Sequence, residues 1–416
     1  MKDSIAVVFV VILFLCAIFT GSSPVGTAQR TSSDWPMFRT DLSHSGVGTG
    51  NPVLSANLLW NNSVGGQIYS SPAVVDGVVY VGSLNGNIYA LKAGDGAKLW
   101  SRTIGQVYCS PAVTGGVVYV GSVNGKLYAL NATNGDELWS FSTGSEVDSS
   151  PAIANGVIYI GSYDYNVYAL NASDGSKLWV FNTLAPIWSS PAVVAGVVYI
   201  GSTDNYTYAL DASSGAELWN FTNGYPTESS PTIIGNFVYT AYDNGSVYAL
   251  NVADGAIVWS FATENIIKSS TAVANGVVYI GSLDQHIYAL NASDGAKLWD
   301  YPTGGTVYSA PAVVKDVVYV GSADANIYAL SASSGTKLWS HTTNGFVESS
   351  PAVVNGVVYV GSLDGSIYAL TNSVQKSNDF SFIILALAVA VILASIIAFT
   401  VLRKRKQVKG KPRFQP

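Results

Sequence analysis

The chain of 416 residues is poor in sulfur, histidine and charge: two cysteines, two methionines, three histidines, and Asp, Glu, Lys and Arg at only 11% together. Cys16 lies in an apolar N-terminal run and Cys109 stands alone in the body, which excludes an internal disulfide in the mature body and any multi-cysteine metal or haem site. His44, His286 and His341 share no ligand spacing, and no CxxCH, HExxH, P-loop, GxSxG or EF-hand pattern accompanies them. They read as lone exposed side chains in the N-terminal arm, at a strand turn and on an outer strand. What is abundant points to strands and turns: Gly 41, Tyr 25 and Trp 10. A hydrophobic fraction of 49% excludes a disordered chain.

The net charge of −6 averages two unlike parts. Seven of the 20 basic residues crowd the last fourteen positions, from Arg403 to Arg413, with no acid among them. Without these and without Lys2 and Asp3, the body has 12 basic and 25 acidic residues, a balance of −13. A surface of that sign repels phosphate backbones and excludes nucleic acid as a partner.

The two ends read as addresses. Residues 1–28 have the charged start, the apolar run Ile5 to Phe19 and the small residues Gly26-Thr27-Ala28 of a secretory signal. Phe380 to Leu402 is uncharged, long enough as a helix to cross a bilayer, and is followed by Arg-Lys-Arg-Lys, a cytoplasmic flank. The expectation is a single-pass cell-membrane protein. Its body is extracytoplasmic, a linker spans 372–379, the transmembrane helix spans 380–402 and a basic cytoplasmic tail spans 403–416. Seven Asn-x-Ser/Thr sequons (Asn61, Asn131, Asn171, Asn205, Asn220, Asn244, Asn291) are compatible with that side.

The body repeats one unit eight times. Ser70-Ser71-Pro72 recurs with Cys109, Ser149, Ser189, Ser229, Ser269, Ser309 and Ser349, at intervals of 39 and then 40 residues. Such a period with strand-like content marks a propeller. Within a unit, Ser71–Val75 and Val78–Ser83 flank the hairpin turn Asp76-Gly77. Asn87–Lys92 and Lys98–Thr103 follow, giving four short antiparallel strands, one propeller blade. Tryptophans supply a count: Trp100, Trp139, Trp179, Trp219, Trp259, Trp299 and Trp339 follow the third strands of blades one to seven. Blade eight stops at Tyr368-Ala369-Leu370-Thr371 without a fourth strand, and Trp60 lies in a strand-like segment without a blade. The expected fold is therefore an all-β, eight-bladed propeller over 57–371. Its N-terminal strand completes the last blade, an arm precedes it over 29–56, and the transmembrane helix follows.

The run Ala90-Leu91-Lys92-Ala93-Gly94-Asp95-Gly96-Ala97-Lys98-Leu99-Trp100, repeated through Ala329–Trp339, resembles the tryptophan-docking motif of the PQQ-like (quinoprotein) β-propellers. That family includes quinoprotein alcohol dehydrogenases and the non-enzymatic, BamB-like outer-membrane assembly lipoproteins. The opening Asp34-Trp35-Pro36-Met37-Phe38-Arg39 is similar to the start of such domains. The resemblance covers about three quarters of the chain. It implies that the eight tryptophans, Trp60 included, dock each blade on its neighbour. The family's dehydrogenases use adjacent cysteines beside the quinone, calcium ligands and a catalytic Asp. This chain has no Cys-Cys pair, so no such residue carries over, and neither a catalytic nor a metal site is expected.

Where the repeat varies, it is informative. The residue before each Ser-Ser-Pro position is Tyr69, Tyr108, Asp148, Trp188, Glu228, Lys268, Tyr308 or Glu348. First strands lie nearest the axis, so these eight should ring one mouth of the central channel and hold a ligand by stacking and ion pairing. The expected function is a non-catalytic cell-surface binding or scaffold propeller for a protein, peptide or small ligand, without a cofactor. A PQQ-dependent oxidoreductase, carrying PQQ and calcium, is the alternative.

Overall fold

A computed structural model describes residues 34–372. The signal segment, the transmembrane helix and the basic tail expected from the sequence lie outside the described residues. Among the described residues no helix is long and apolar enough to cross a membrane.

Thirty-two strands form eight separate four-stranded antiparallel sheets arranged as the blades of a propeller. Blade one runs through Ala73–Val75, Val78–Gly82, Asn87–Lys92 and Lys98–Thr103. The first strand is shorter than the sequence suggests, because Ser71 and Pro72 belong to the bend that leads into it. Its hairpin needs two left-handed residues, and Asp76 and Gly77 take φ 51° and 75°. Each blade is sandwiched between two others, so its middle strands are buried on both faces. Ile88, Tyr89, Ala90 and Leu91 are consecutive and all buried. The fourth strand is the exposed outer edge, and in it Trp100 alone turns inward.

Every docking tryptophan donates its indole N–H to a backbone carbonyl of the neighbouring unit, and all but Trp339 also cover a glycine. The Trp100 indole N–H donates to the Ala132 carbonyl of the next blade (2.9 Å), and its ring lies flat on Gly135. A Cβ on that glycine would stand 2.7 Å from the indole, and its φ of +77° also favours glycine.

Blade eight is completed by the other end of the domain. Asn57–Ser63 pairs antiparallel with Ser366–Thr371, bringing Trp60 opposite Ala369. Trp60 then docks on blade one, donating to the Ala93 carbonyl (2.8 Å) and covering Gly96. Trp339 of blade seven donates to the Val53 carbonyl (2.8 Å), so the N-terminal segment supplies both the missing strand and an acceptor for its neighbour. The Asn372 side chain accepts from Leu54 N–H and donates to the Pro52 carbonyl, binding the two ends together.

Candidate functional site

The Ser-Ser-Pro repeat becomes a hydrogen-bonded ring around the axis. The Ser71 N–H donates to Ser110 Oγ (3.0 Å), Ser110 to Ser150 (2.9 Å), Ser150 to Ser190 (3.0 Å), Ser190 to Ser230 (2.9 Å) and Ser230 to Ser270 (3.0 Å). Ala310 N–H donates to Ser350 Oγ (2.9 Å), and Ser350 N–H closes back on Ser71 Oγ (3.0 Å). Ala310 has no hydroxyl to offer Ser270, so the ring has one gap. The first serine of most pairs secures the blade internally: Ser70 Oγ accepts from Gly82 N–H (3.1 Å), whereas in blade five Ser229 Oγ has no hydrogen-bond partner and Thr227 Oγ1 donates to the Ala241 carbonyl (2.8 Å). Cys109 takes that place in blade two, its sulfur accepting from Gly121 N–H (3.1 Å). Burial pushes this thiol up to about 12.

This ring fixes the backbone of the variable residue that precedes it. Tyr69, Tyr108, Asp148, Trp188, Glu228, Lys268, Tyr308 and Glu348 all line one cavity of about 170 Å³, on the face where first strands begin. Three of its aromatics are well exposed: Trp188 at 43%, Tyr308 at 37% and Tyr108 at 36%. Tyr69 and Tyr108 pack with centroids 5.1 Å apart. Trp188 packs on Tyr163 at 4.8 Å. Lys268 bridges Glu228 and Asp243, with 2.9 Å to the latter, and these partners hold its pKa up against partial burial. Asp148 is pushed up to about 6 by burial, helped by nearby Glu146 and partly offset by the Tyr163 hydroxyl. Burial also raises Glu348. Asp148 Oδ1, Asp243 Oδ1 and the Tyr163 hydroxyl are buried oxygens without a hydrogen bond of proper geometry.

The expectation of a channel mouth needs correction: the cavity is a blind cup. First strands are the inner edges of their sheets, and their free N–H groups face the axis, where the arm satisfies them. Val74 exchanges hydrogen bonds with Trp35 (2.8 Å each way), and Val113 N–H donates to Pro36 (2.7 Å). Val193 donates to Leu42, Ile233 to Ser43, Val273 to Ser45 and Val313 to Gly46 (2.7–3.0 Å). The arm thus circles inside the ring, touching six of the eight first strands in this way, and Phe38 rises from it to join the cup lining.

The Arg39 guanidinium lies within the arm, donating to the Pro311 carbonyl (3.1 Å), the His44 carbonyl (3.3 Å) and the Thr271 carbonyl. Burial pulls its pKa down to about 9, against the pull of Asp41. His44 is also buried, contrary to the sequence reading. Burial first, then the Arg39 charge, lowers its pKa to about 4. Its Nδ1 lies 3.1 Å from the Pro231 carbonyl. His286 and His341 are half-buried against Tyr288 and Tyr368 rather than free in solvent.

The sequence reading did not include Phe38, Tyr163 or Asp243. A signal existed for two of them. The position two after each second-strand Gly or Ala is Leu84, Val123, Tyr163, Thr203, Asp243, Leu283, Ala323 or Leu363, mostly apolar, with Tyr163, Thr203 and Asp243 as departures.

The cup does not fit the quinone and calcium of the dehydrogenases. Its volume falls below the roughly 300–1,000 Å³ of pockets that enclose drug-sized ligands. Among the described residues no three His, Cys, Asp or Glu side chains are grouped to hold a metal, and Cys109 has no adjacent partner.

Comparison with known proteins accords with this architecture. The family described as outer membrane protein assembly factor BamB matches residues 53–106, 84–219, 183–301 and 243–373. No curated protein matches in sequence. Among solved structures, BamB from Moraxella catarrhalis superimposes with a TM-score of 0.65 at 20% identity, covering 76% of this chain and 100% of its own. Quinohemoprotein alcohol dehydrogenase from Comamonas testosteroni gives 0.70 at 16%, with 83% and 81% covered. A europium-containing methanol dehydrogenase gives 0.72 at 13%, with 82% and 98% covered. At these identities the structural likeness is one of fold alone. The matched family spans most of the chain, and the protein belongs to the BamB family of PQQ-like propellers.

Proposed function

We propose that this BamB-family propeller is a non-catalytic binding protein, tethered to the membrane at its C-terminal end and presenting the cup outward. The observation that carries the reading is the contrast within each repeat. A rigid serine ring holds a nearly invariant frame, and on it stand eight dissimilar side chains, aromatic and charged, around one cavity closed from below. The dehydrogenase reading draws support from the shared fold, but the cup's small volume and its donor set do not favour it.

The tether reading rests on sequence and topology together. Thr371 reaches the Gly356 carbonyl (3.1 Å), at the hairpin end of the first strand and so on the face opposite the cup. Only Asn372 to Asp379 precede the apolar run, a reach of roughly 30 Å at most.

Two measurements test this. Protease added to sealed cells should attack the body and spare a tag placed after Pro416; digestion of the tag would reverse the topology. Trp188→Ala combined with Tyr308→Ala alters two exposed cup residues with little cost to the fold. It should abolish partner capture by cross-linking in native membranes. Capture identical to wild type would remove the cup from function.

A further inference from the structure

The cup already contains one bound ammonium, its own. Lys268 Nζ sits between the carboxylates of Glu228 and Asp243, on the side of the cup formed by blades five and six. The remaining acids have no such counterion. Among the described residues, neither Asp148 nor Glu348 forms a salt bridge with a basic side chain, yet both are largely buried. Four carboxylates (Asp148, Glu228, Asp243, Glu348) face one ammonium, a formal excess of three negative charges when all are ionised. The basic group of the arm does not compensate: the Arg39 donors are engaged by the carbonyls of His44, Thr271 and Pro311.

The rest of the lining is aromatic. Tyr69, Tyr108, Trp188 and Tyr308 form the wall, with Phe38 reaching it from the arm. Ring faces carry negative potential, and a cation within about 6 Å of a centroid is attracted to them, most strongly when desolvated. Carboxylates with unpaired buried oxygens beside such rings suit a group that is positive, compact and partly apolar. An anion would meet repulsion, and a neutral apolar group would leave the buried Asp148 carboxylate without a countercharge. The volume of about 170 Å³ equals roughly five waters at 30 Å³ each, room for a nitrogen and a few carbons.

We infer that the cup binds an alkylammonium group, carried by a small organic amine or by a lysine side chain, between Asp148, Trp188 and the tyrosines. Lys268 is its internal competitor. The inference rests on the reading of the cup as the binding site and names what that site recognises. Binding should depend on pH. Asp148, faced by Glu146, Tyr108, Tyr163 and Cys109, must be ionised to pair with the ligand. Glu348, faced by Tyr69 and Tyr308, must be ionised as well. Affinity should fall as pH drops through about 6, where Asp148 takes up its proton.

The experiment is calorimetric titration of the purified full chain with choline and with 3,3-dimethylbutanol, which has the same shape without the charge. The expected result is binding of choline, weakened by salt and by acid, with the neutral isostere at least about ten-fold weaker. Trp188→Ala should weaken choline at least about ten-fold, while Lys268→Met should strengthen it by freeing Glu228 and Asp243. Opposite directions from two residues of one cup cannot come from damage to the fold. N-acetyl-lysine methylamide and its Nε-acetylated form, titrated in parallel, distinguish a side chain from a free amine as the source. Equal affinity for choline and its isostere, no binding of any cation at millimolar concentration, or loss of binding in both variants would overturn the assignment. If the Trp188/Tyr308 double variant loses partner capture while no cation binds, the ammonium assignment alone falls and the cup remains the binding site.

Discussion

Trp60→Ala removes the one docking residue that the N-terminal strand contributes to the ring. The side chain is 8% exposed, donates to the Ala93 carbonyl and covers Gly96. A buried tryptophan removes on the order of 200 Å² from water, or about 5 kcal/mol gross at 25 cal/mol per Å². Truncations of this kind cost about 3–5 kcal/mol when measured. For a unit this large that is a fall in melting temperature on the order of 5–10 °C. Trp100→Ala is the internal control, because its indole makes the same bond to Ala132 and covers Gly135 in the same way, far from the chain ends. Trp60→Phe keeps most of the area but loses the N–H, and should fall between wild type and the alanine variant. Calorimetric melting of the four proteins decides. If Trp60→Ala melts with wild type while Trp100→Ala does not, the closing strand does not dock as the other seven do, and the reasoning is wrong.

Three further outcomes are expected. Asp148 has a folded pKa of about 6, above its ordinary range, so folding favours its protonated form; the contribution of this group to stability is greatest at low pH and declines as pH rises from about 4 to 6. Asp148→Asn should therefore raise stability at pH 7 by about 2–3 kcal/mol and change little at pH 4, as read by denaturation at both pH values; equal effects would refute the assignment. Ala310→Ser supplies the hydroxyl missing opposite Ser270 N–H and should add about 1 kcal/mol, seen as a higher denaturant midpoint at unchanged slope. In a Cys16→Ser background, Cys109 should resist iodoacetamide at pH 8 in the native protein and react fully on denaturation, because it is buried and its thiol titrates near 12.

The blades were legible because their information is local and repeated. Asp76-Gly77 dictates a hairpin in any context, and eight tryptophans against seven complete blades require a strand from elsewhere. The cup's rim was legible as variation within a constant frame. Its floor was not. The arm binds through backbone carbonyls such as those of Leu42, Ser43 and Ser45, and a carbonyl leaves no mark in a sequence. For the same reason His44 read as a surface residue: its burial depends on where the arm goes, not on its neighbours in the chain. The serine ring was visible as a motif, but its bonds join residues 39 or 40 positions apart, and 279 apart where it closes, and exist only once the blades stand side by side.

The arm also has a consequence for synthesis. It is translated first, yet Val313 and Tyr319, which it contacts near Gly46 and Val53, come late, the latter 266 residues on. The strand Asn57–Ser63 waits longer still, for Ser366–Thr371. Contacts this distant form slowly, and until they do the chain carries an unpaired strand at its start and inner edges that the arm has yet to cover. No fragment that ends before Ser366 can pair that first strand. A chain cut before Ser366 keeps an adhesive edge that proteases and aggregation can reach, and only one translated through Thr371 can hide it.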